Sequence, residues 1–562
     1  MSTVLLTTHG ENLTGTPWDV YPRPQLRRGN YVNLNGHWDF AVSSDPQFPK
    51  HYDRQILVPF CPESTLSGIG EHFAEGSYLF YRRFISRPQG QRVLLHIGAA
   101  DQALSCYVNS KEIGSHVGGY EAMTFDITDA LQENNEILLR CKDDLRSHVL
   151  PYGKQVTQPG GMWYTPVSGI WQTVWLESVP EDYVNSIDIQ VSLTVATITV
   201  IPALSGTVTC DGITYPLVDG RAVITPEAPH LWTPEDPHLY HFTVEAGQDK
   251  FQSYFALRTL EIKTVKGLPR LCLNGKPYFF HGLLDQGYWP DGLFTPPAPQ
   301  SYADDILAMK SLGFNMLRKH IKVEAEEFYY QCDKLGMVVF QDMVNNGDYG
   351  YVRDTVLPTF FRQRRSDRHM HPDPQTRQAF LDAMEATVGQ LKNHPCICCW
   401  TIFNEGWGQF DSTPVYHRLK ALDSSRFIDS TSGWFRGSDS DVESLHIYFD
   451  MWHRLKPSEK PIVLSEFGGF TYAAPGHIWN PDRTYGYGGC KSPQALSERL
   501  KVIYRDRVIP AVKKGLCAAV YTQVSDVEDE INGLLTYDRK ICKPDAKTML
   551  SIACQLQTAI NE

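Results

Sequence analysis

From about Leu271 onward the chain repeats one unit: a short apolar run, a polar tip, then a stretch with helical periodicity. The runs are Tyr278–Leu284, Met316–Lys319, Val338–Asp342, Cys398–Asn404, Phe427–Ser430, Ser444–Tyr448, Ile462–Glu466 and Ala518–Val524. Between most of them lie helical patterns over Tyr302–Leu312, Ala325–Leu335, Thr376–Lys392, Pro414–Leu422 and Leu496–Lys514. Near-continuous apolar strands joined by helical crossovers are buried on both faces, as in a parallel sheet. Eight of them in about 290 residues fit a closed (β/α)8 barrel, the TIM barrel. An open doubly wound sheet competes, but no Gly-rich phosphate loop follows the first strand.

Chemistry in such a barrel gathers at the C-terminal strand ends. Here those ends are polar throughout: Asp285-Gln286, Arg318-Lys319-His320, Gln341-Asp342, Asn404-Glu405, His446 and Tyr448, Glu466, then Gln523, Asp526 and Glu528. The run Ile462-Val463-Leu464 ends in Ser465-Glu466 and two glycines, although burying an unpaired charge is costly. The stretch TIFNEGWG (401–408) has the same form and ends in Glu405. Placed on the fourth and seventh strands, the two carboxylates face each other across the mouth. Two opposed carboxylates can cleave a glycosidic bond, one as acid and the other as nucleophile or base. A gap of ~5–5.5 Å implies retention at the anomeric carbon, and ~6.5–9.5 Å implies inversion.

The first part of the chain is β-rich. Short strands separated by Gly, Asn and Pro turns predict a sandwich over 1–180 and a smaller immunoglobulin-like module over 181–264, leaving 265–562 for the barrel. With net charge −12, nothing favours nucleic acid or an anionic membrane. No run approaches the ~20 apolar residues of a membrane span, and the N-terminus lacks a signal-peptide pattern. The 13 cysteines show no zinc spacing and suit reduced, buried thiols, so a cytoplasmic location is expected.

These residues resemble glycoside hydrolase family 2, which contains β-galactosidases, β-glucuronidases and β-mannosidases. The likeness runs along nearly the whole chain: TPWDVYPRPQLRRGNYVNLNGHWDF at the start, GGYEAMTFDIT (118–128) and VSGIWQTVWLE (167–177) in the jelly-roll sugar-binding-like sandwich, APHLWTPEDPHLY (228–240) and FALRTLEI (255–262) in the immunoglobulin-like module, and LNGKPYFFHGLL (273–284) where the barrel begins. The family's acid/base motif falls on Asn404-Glu405 and its nucleophile motif on Ser465–Gly468. The resemblance implies an exo-acting retaining β-glycosidase. Glu405 would be the general acid and then base, and Glu466 the nucleophile, kept ionised by Tyr448 or Arg318. Asn404 would bind the sugar 2-hydroxyl, with His446 and Tyr448 beside the nucleophile. Family members often form dimers or tetramers.

The sugar is less defined. The galactosidase pattern after the first strand is replaced by LLDQGYWPDG (283–292), and no Glu-x-His metal pair accompanies the acid/base, so no cofactor is expected. The Asn-x-Lys clamp of the glucuronidases is missing from 526–540, and Asn274-x-Lys276 suits a turn. The stretch 328–343 leans toward mannosidases. Asp285, Gln286, Asp342 and Glu528 would suit neutral hydroxyls, whereas Arg318, Lys319, His320 and Arg436 would suit a uronate. A neutral hexose is expected, galactose first, then a uronate, then mannose. The substrate would be a small oligosaccharide or glycoside. A carbohydrate-binding relative without catalysis is the alternative of a different class. The loop 479–492, rich in Trp, Tyr and Gly, fits either the aglycone side of the site or an ordinary aromatic loop packed on its neighbour.

Overall fold

The computed structural model describes residues 4–357, 367–433, 435 and 439–562. Two antiparallel sheets open the chain. One has the order Tyr31–Asn33, Val174–Val179, Arg92–Ile97, Met123–Asp126; the other Arg54–Val58, Gly36–Ser43, Tyr78–Ser86, Asn134–Lys142, Ala103–Val108, Lys111–Val117. Trp38, Phe40 and Ile56 from one meet Val93, Leu95 and Val174 from the other in a single apolar core. A second, smaller pair follows: Ser186–Val191, Ala196–Ile201 and Arg221–Ile224 against Ile213–Leu217, Gly206–Cys210, Tyr240–Ala246 and Asp249–Phe255. Burial alternates along Tyr240–Ala246, the signature of a strand with one face in the core.

The remainder is an eight-stranded parallel barrel. Its strands are β1 (Phe280–Asp285), β2 (Met316–Lys319), β3 (Val338–Asp342), β4 (Ile397–Asn404), β5 (Phe427–Ser432), β6 (Glu443–Ile447), β7 (Ile462–Gly468) and β8 (Leu516–Thr522). Ladder bonds run from β5 through β1 and β8 to β6. The β5–β6 seam is closed differently: Asp441 N–H donates to Ile428 O at 2.9 Å, and Ile428 N–H to the Asp441 carboxylate at 3.0 Å. Nearly every strand residue is buried, as expected of strands covered on both faces.

The structure departs from the periodic reading in one helix. The long helix expected over Leu496–Lys514 is α-helical only from Pro493 to Ile503, passes through a π-helical turn at Tyr504–Val508, and resumes at Ile509–Val512. Pro510 lacks the N–H that a regular ladder needs at that point. A hairpin, Leu260–Val265 with Leu268–Leu273, links the second sandwich to the barrel. Asn274 and Gly275, both at positive φ, make the tight turn after it, which is where Asn274-x-Lys276 lies.

All 13 cysteines are free thiols. No helix among the described residues is long and apolar enough to cross a membrane.

One buried cation joins the two sandwiches. Arg28 donates to Glu177 Oε2 (3.1 Å) of the first, and to Asp249 Oδ1 and Oδ2 (3.0 and 2.7 Å) of the second. Removing one partner of a buried pair costs about 3–5 kcal/mol. Arg28→Ala should therefore lower the stability of the sandwich half by about that amount in denaturant unfolding. A loss below about 0.5 kcal/mol, the level of an ordinary surface change, would show that the clamp is dispensable.

Candidate active site

The acid on β7 owes its direction to an irregularity in the ladder. Leu445 pairs with Leu464, but the next pair is His446 with Glu466, so Ser465 is an extra residue on β7. Such a bulge re-aims the side chain that follows it. The acid after β4 is turned by another device. Glu405 has φ 54°, a left-handed backbone that non-glycine residues rarely adopt. Its N–H donates to Ser432 O at 2.8 Å, and the following Gly406 (φ 76°) packs where a Cβ would lie 2.1 Å from the Phe435 ring. The two turns bring the carboxylates together with His446 between them. Glu405 Oε1 lies 2.8 Å from His446 Nδ1, and His446 Nε2 lies 3.5 Å from Glu466 Oε1. One ligand atom from each of the three falls within 4.8 Å of the others.

Arg318 organises the floor of this site. It is 1% exposed, so its charge must be met by the protein. Nε donates to Asp342 Oδ1 (3.0 Å), Nη1 to Glu466 Oε1 (3.1 Å) and Ser465 O (3.0 Å), and Nη2 to Asn404 Oδ1 (2.9 Å). The last bond orients the Asn404 amide so that its NH2 is the end left for a ligand. Tyr448 OH donates to Glu466 Oε2 at 2.6 Å and lies 3.0 Å from Thr522 Oγ1. Burial alone would raise the pKa of Glu466, but His446 and Arg318 outweigh it and bring it from 4.5 to about 2. Burial and the Glu466 charge raise the Tyr448 phenol well above its ordinary range, so it stays a donor. Glu405, His446 and Glu466 are the residues whose ligand atoms cluster closely enough for a metal ion among the described residues. The guanidinium at 3.1 Å already supplies Glu466 with positive charge there.

The other expected residues fall into separate groups. Asp342 also accepts from His320, whose Nδ1 is 2.7 Å from Oδ2, so both carboxylate oxygens are engaged. Burial lowers the pKa of His320 against the pull of Asp342, whose Oδ2 faces its Nδ1. Asp285 binds Lys319 Nζ at 2.6 Å, and Lys319 also binds Glu324 at 2.9 Å. Gln286 donates to Gln523 Oε1 at 2.8 Å. Glu528 accepts from Thr165 N–H at 2.9 Å, and burial raises it to about 7. Arg436 lies outside the described residues.

The sequence reading passed over the loop from Asp143 to Ser168, which leaves the first sandwich and lines the barrel mouth. Tyr152 N–H donates to Asn345 O (3.1 Å), Tyr152 OH to Gly347 O (2.9 Å), and Tyr164 OH to Glu530 Oε2 (2.5 Å). Its signal was length, since long connections in compact domains are commonly functional. From the loop 479–492, Tyr487 stacks on Tyr448 at 4.2 Å and meets the exposed Phe449 edge-on.

A carboxyl whose folded pKa lies below its unfolded value stabilises the fold at higher pH, and the benefit fades as pH falls toward the folded pKa. For Glu466 it is complete above about 4.5 and vanishes near 2. The stability difference between wild type and Glu466→Gln should be level near neutrality and shrink below pH of about 4.5. A difference that stays constant on acidification would contradict the ionised assignment.

With this geometry in view, the likenesses to known proteins are informative. The family model described as "Glycosyl hydrolases family 2, TIM barrel domain" matches residues 264–549. A β-glucuronidase of Felis catus is 24% identical, with 81% of this chain and 80% of that protein covered. A β-galactosidase of Thermoanaerobacter pseudethanolicus is also 24% identical, with 78% and 61% covered. Among solved structures, a β-galacturonidase from Eisenbergiella tayi bound to galacturonate superposes with TM-score 0.69 at 18% identity, covering 96% of this chain and 99% of that one. The fold, the matched barrel and the extent of the likeness give one conclusion: the chain belongs to glycosyl hydrolase family 2, and it is a glycoside hydrolase.

Proposed function

We propose that this protein is an exo-acting retaining β-glycosidase that removes a terminal uronate by double displacement. The observation that carries the mechanism is the spacing of the carboxylates. Oxygens of Glu405 and Glu466 lie within 4.8 Å of each other. That favours direct attack on the anomeric carbon, because an inverting enzyme needs ~6.5–9.5 Å to fit a water. In the first step Glu466 attacks the anomeric carbon while Glu405 protonates the glycosidic oxygen, and the aglycone leaves. In the second, Glu405 takes a proton from water, which attacks the same carbon and releases Glu466. Arg318 and Tyr448 hold Glu466 anionic and ease its departure. Asn404 offers an NH2 donor to the 2-hydroxyl, a contact that tightens as oxocarbenium character develops.

For the sugar, galactose-first gives way to a uronate. Support comes from the β-glucuronidase of Felis catus and the β-galacturonidase from Eisenbergiella tayi, proteins named for uronate glycosides. The β-galactosidase relative keeps galactose as the second reading. The aromatic rim of Tyr487 and Phe449 supports an aglycone seat beside Tyr448.

Hydrolysis of p-nitrophenyl β-glycosides tests the sugar: a glucuronide or galacturonide should be turned over at least about tenfold faster than the galactoside, glucoside or mannoside, one charge-assisted contact being enough for that ratio. A galactoside preferred over both uronides would reverse the order. Glu405→Gln tests the acid. It should slow an alkyl glycoside by about 10²–10⁴ and an activated aryl glycoside far less, because a good leaving group needs little protonation. Equal slowing of both would remove Glu405 from that role.

A further inference from the structure

A uronate carboxylate entering a largely buried mouth needs a cation or several donors to meet it. Among the described residues, the cations at the end of β2 and just after it are already engaged. Arg318 serves Asp342, Glu466 and Asn404, and Lys319 serves Asp285 and Glu324. Lys322 binds Glu324 and the carbonyls of Gly287 and Phe294. His320 is held by Asp342, whose Oδ2 lies 2.7 Å from its Nδ1.

We propose that Lys154, carried into the mouth by the sandwich loop, is the residue that receives the carboxylate of the sugar. This inference rests on the uronate reading above. The loop holds Lys154 firmly. On one side Gly153 N–H donates to Asn345 O beyond β3 at 3.2 Å. On the other, Lys154 O accepts from Tyr164 N–H at 3.0 Å, and Tyr164 is anchored to Glu530. The ammonium lies 5.2 Å from the centre of the Trp163 ring. Trp163 in turn packs edge-on against Trp407 at 5.2 Å, two residues after Glu405. The cation is thus linked, through one pair of aromatic rings, to the segment that follows Glu405. No carboxylate among the described residues lies within ion-pairing distance of it. Its charge bears on His320 and on Glu530, but Glu530 already accepts from Tyr164 and Asn532. A lysine kept on an aromatic face, without a carboxylate partner, is poised for an anionic ligand.

The competing role is mechanical: Lys154 braces the loop through Trp163. Kinetics of Lys154→Gln and Lys154→Arg on p-nitrophenyl β-glucuronide, galacturonide and galactoside separate the two. Loss of a cation that contacts a non-reacting carboxylate removes binding shared by ground and transition states. Lys154→Gln should raise KM for the uronide about 10- to 100-fold with kcat held within about threefold. The galactoside should keep its kcat/KM, the melting temperature should not move, and Lys154→Arg should restore most of the uronide KM. An unchanged KM for a uronide that the wild type hydrolyses would overturn the assignment and leave the uronate reading intact. So would a parallel loss on uronide and galactoside, the mark of a brace. A wild type that hydrolyses only neutral glycosides would overturn the uronate reading itself, and this inference with it.

Discussion

A guanidinium buried at the tip of the second barrel strand carries a charge that water cannot reach, so every one of its donors must find a protein acceptor. Those of Arg318 find Asp342, Glu466, the Ser465 carbonyl and the Asn404 amide. One planar group thereby ties together the ends of β2, β3, β4 and β7. It keeps the proposed nucleophile ionised, and it holds the Asn404 amide by its oxygen. Lysine has neither the fork nor the reach to meet acceptors in this arrangement. Alternation along β2 matters as well. Neighbouring side chains on a strand point to opposite sides, so Arg318 and Lys319 enter different networks, one under the acid pair and one around Glu324.

The barrel does not complete its own mouth. Thr165 and Tyr164 of the first sandwich bind Glu528 and Glu530, acids that burial raises, to about 7 for Glu528. The same loop brings Trp163 against Trp407. The first sandwich thus supplies residues to the rim of the barrel mouth.

The barrel was legible because its strands are apolar on both faces, a pattern that helices and loops do not imitate over so many repeats. The acid pair was legible because a Glu at the end of a buried strand is costly and conspicuous. The devices that aim the pair were not. The extra residue at Ser465 and the left-handed turn at Glu405 are local backbone events with no composition signal beyond the neighbouring glycines. The partners of Glu528 and the surroundings of Lys154 were hidden for another reason. Thr165 is 363 residues from Glu528, and the Lys154 loop meets Asn345 and Glu530 only in the folded chain, so spacing carries no information about either. Lys319 and His320 sit beside Arg318 in sequence, yet their contacts with Asp285 and Asp342 depend on strand register, which spacing along one strand does not encode.

The central claim is that Glu466 bonds to the sugar. A 2-deoxy-2-fluoro uronyl fluoride slows both steps but speeds loss of the leaving group, so a covalent intermediate should accumulate. Mass spectrometry of the intact chain, followed by peptide mapping, reads it directly. The expected result is one glycosyl unit per chain, on the peptide that contains Glu466, and none on Glu466→Gln. Label on another residue, or turnover of the uronide with no label at any time, would contradict the double displacement.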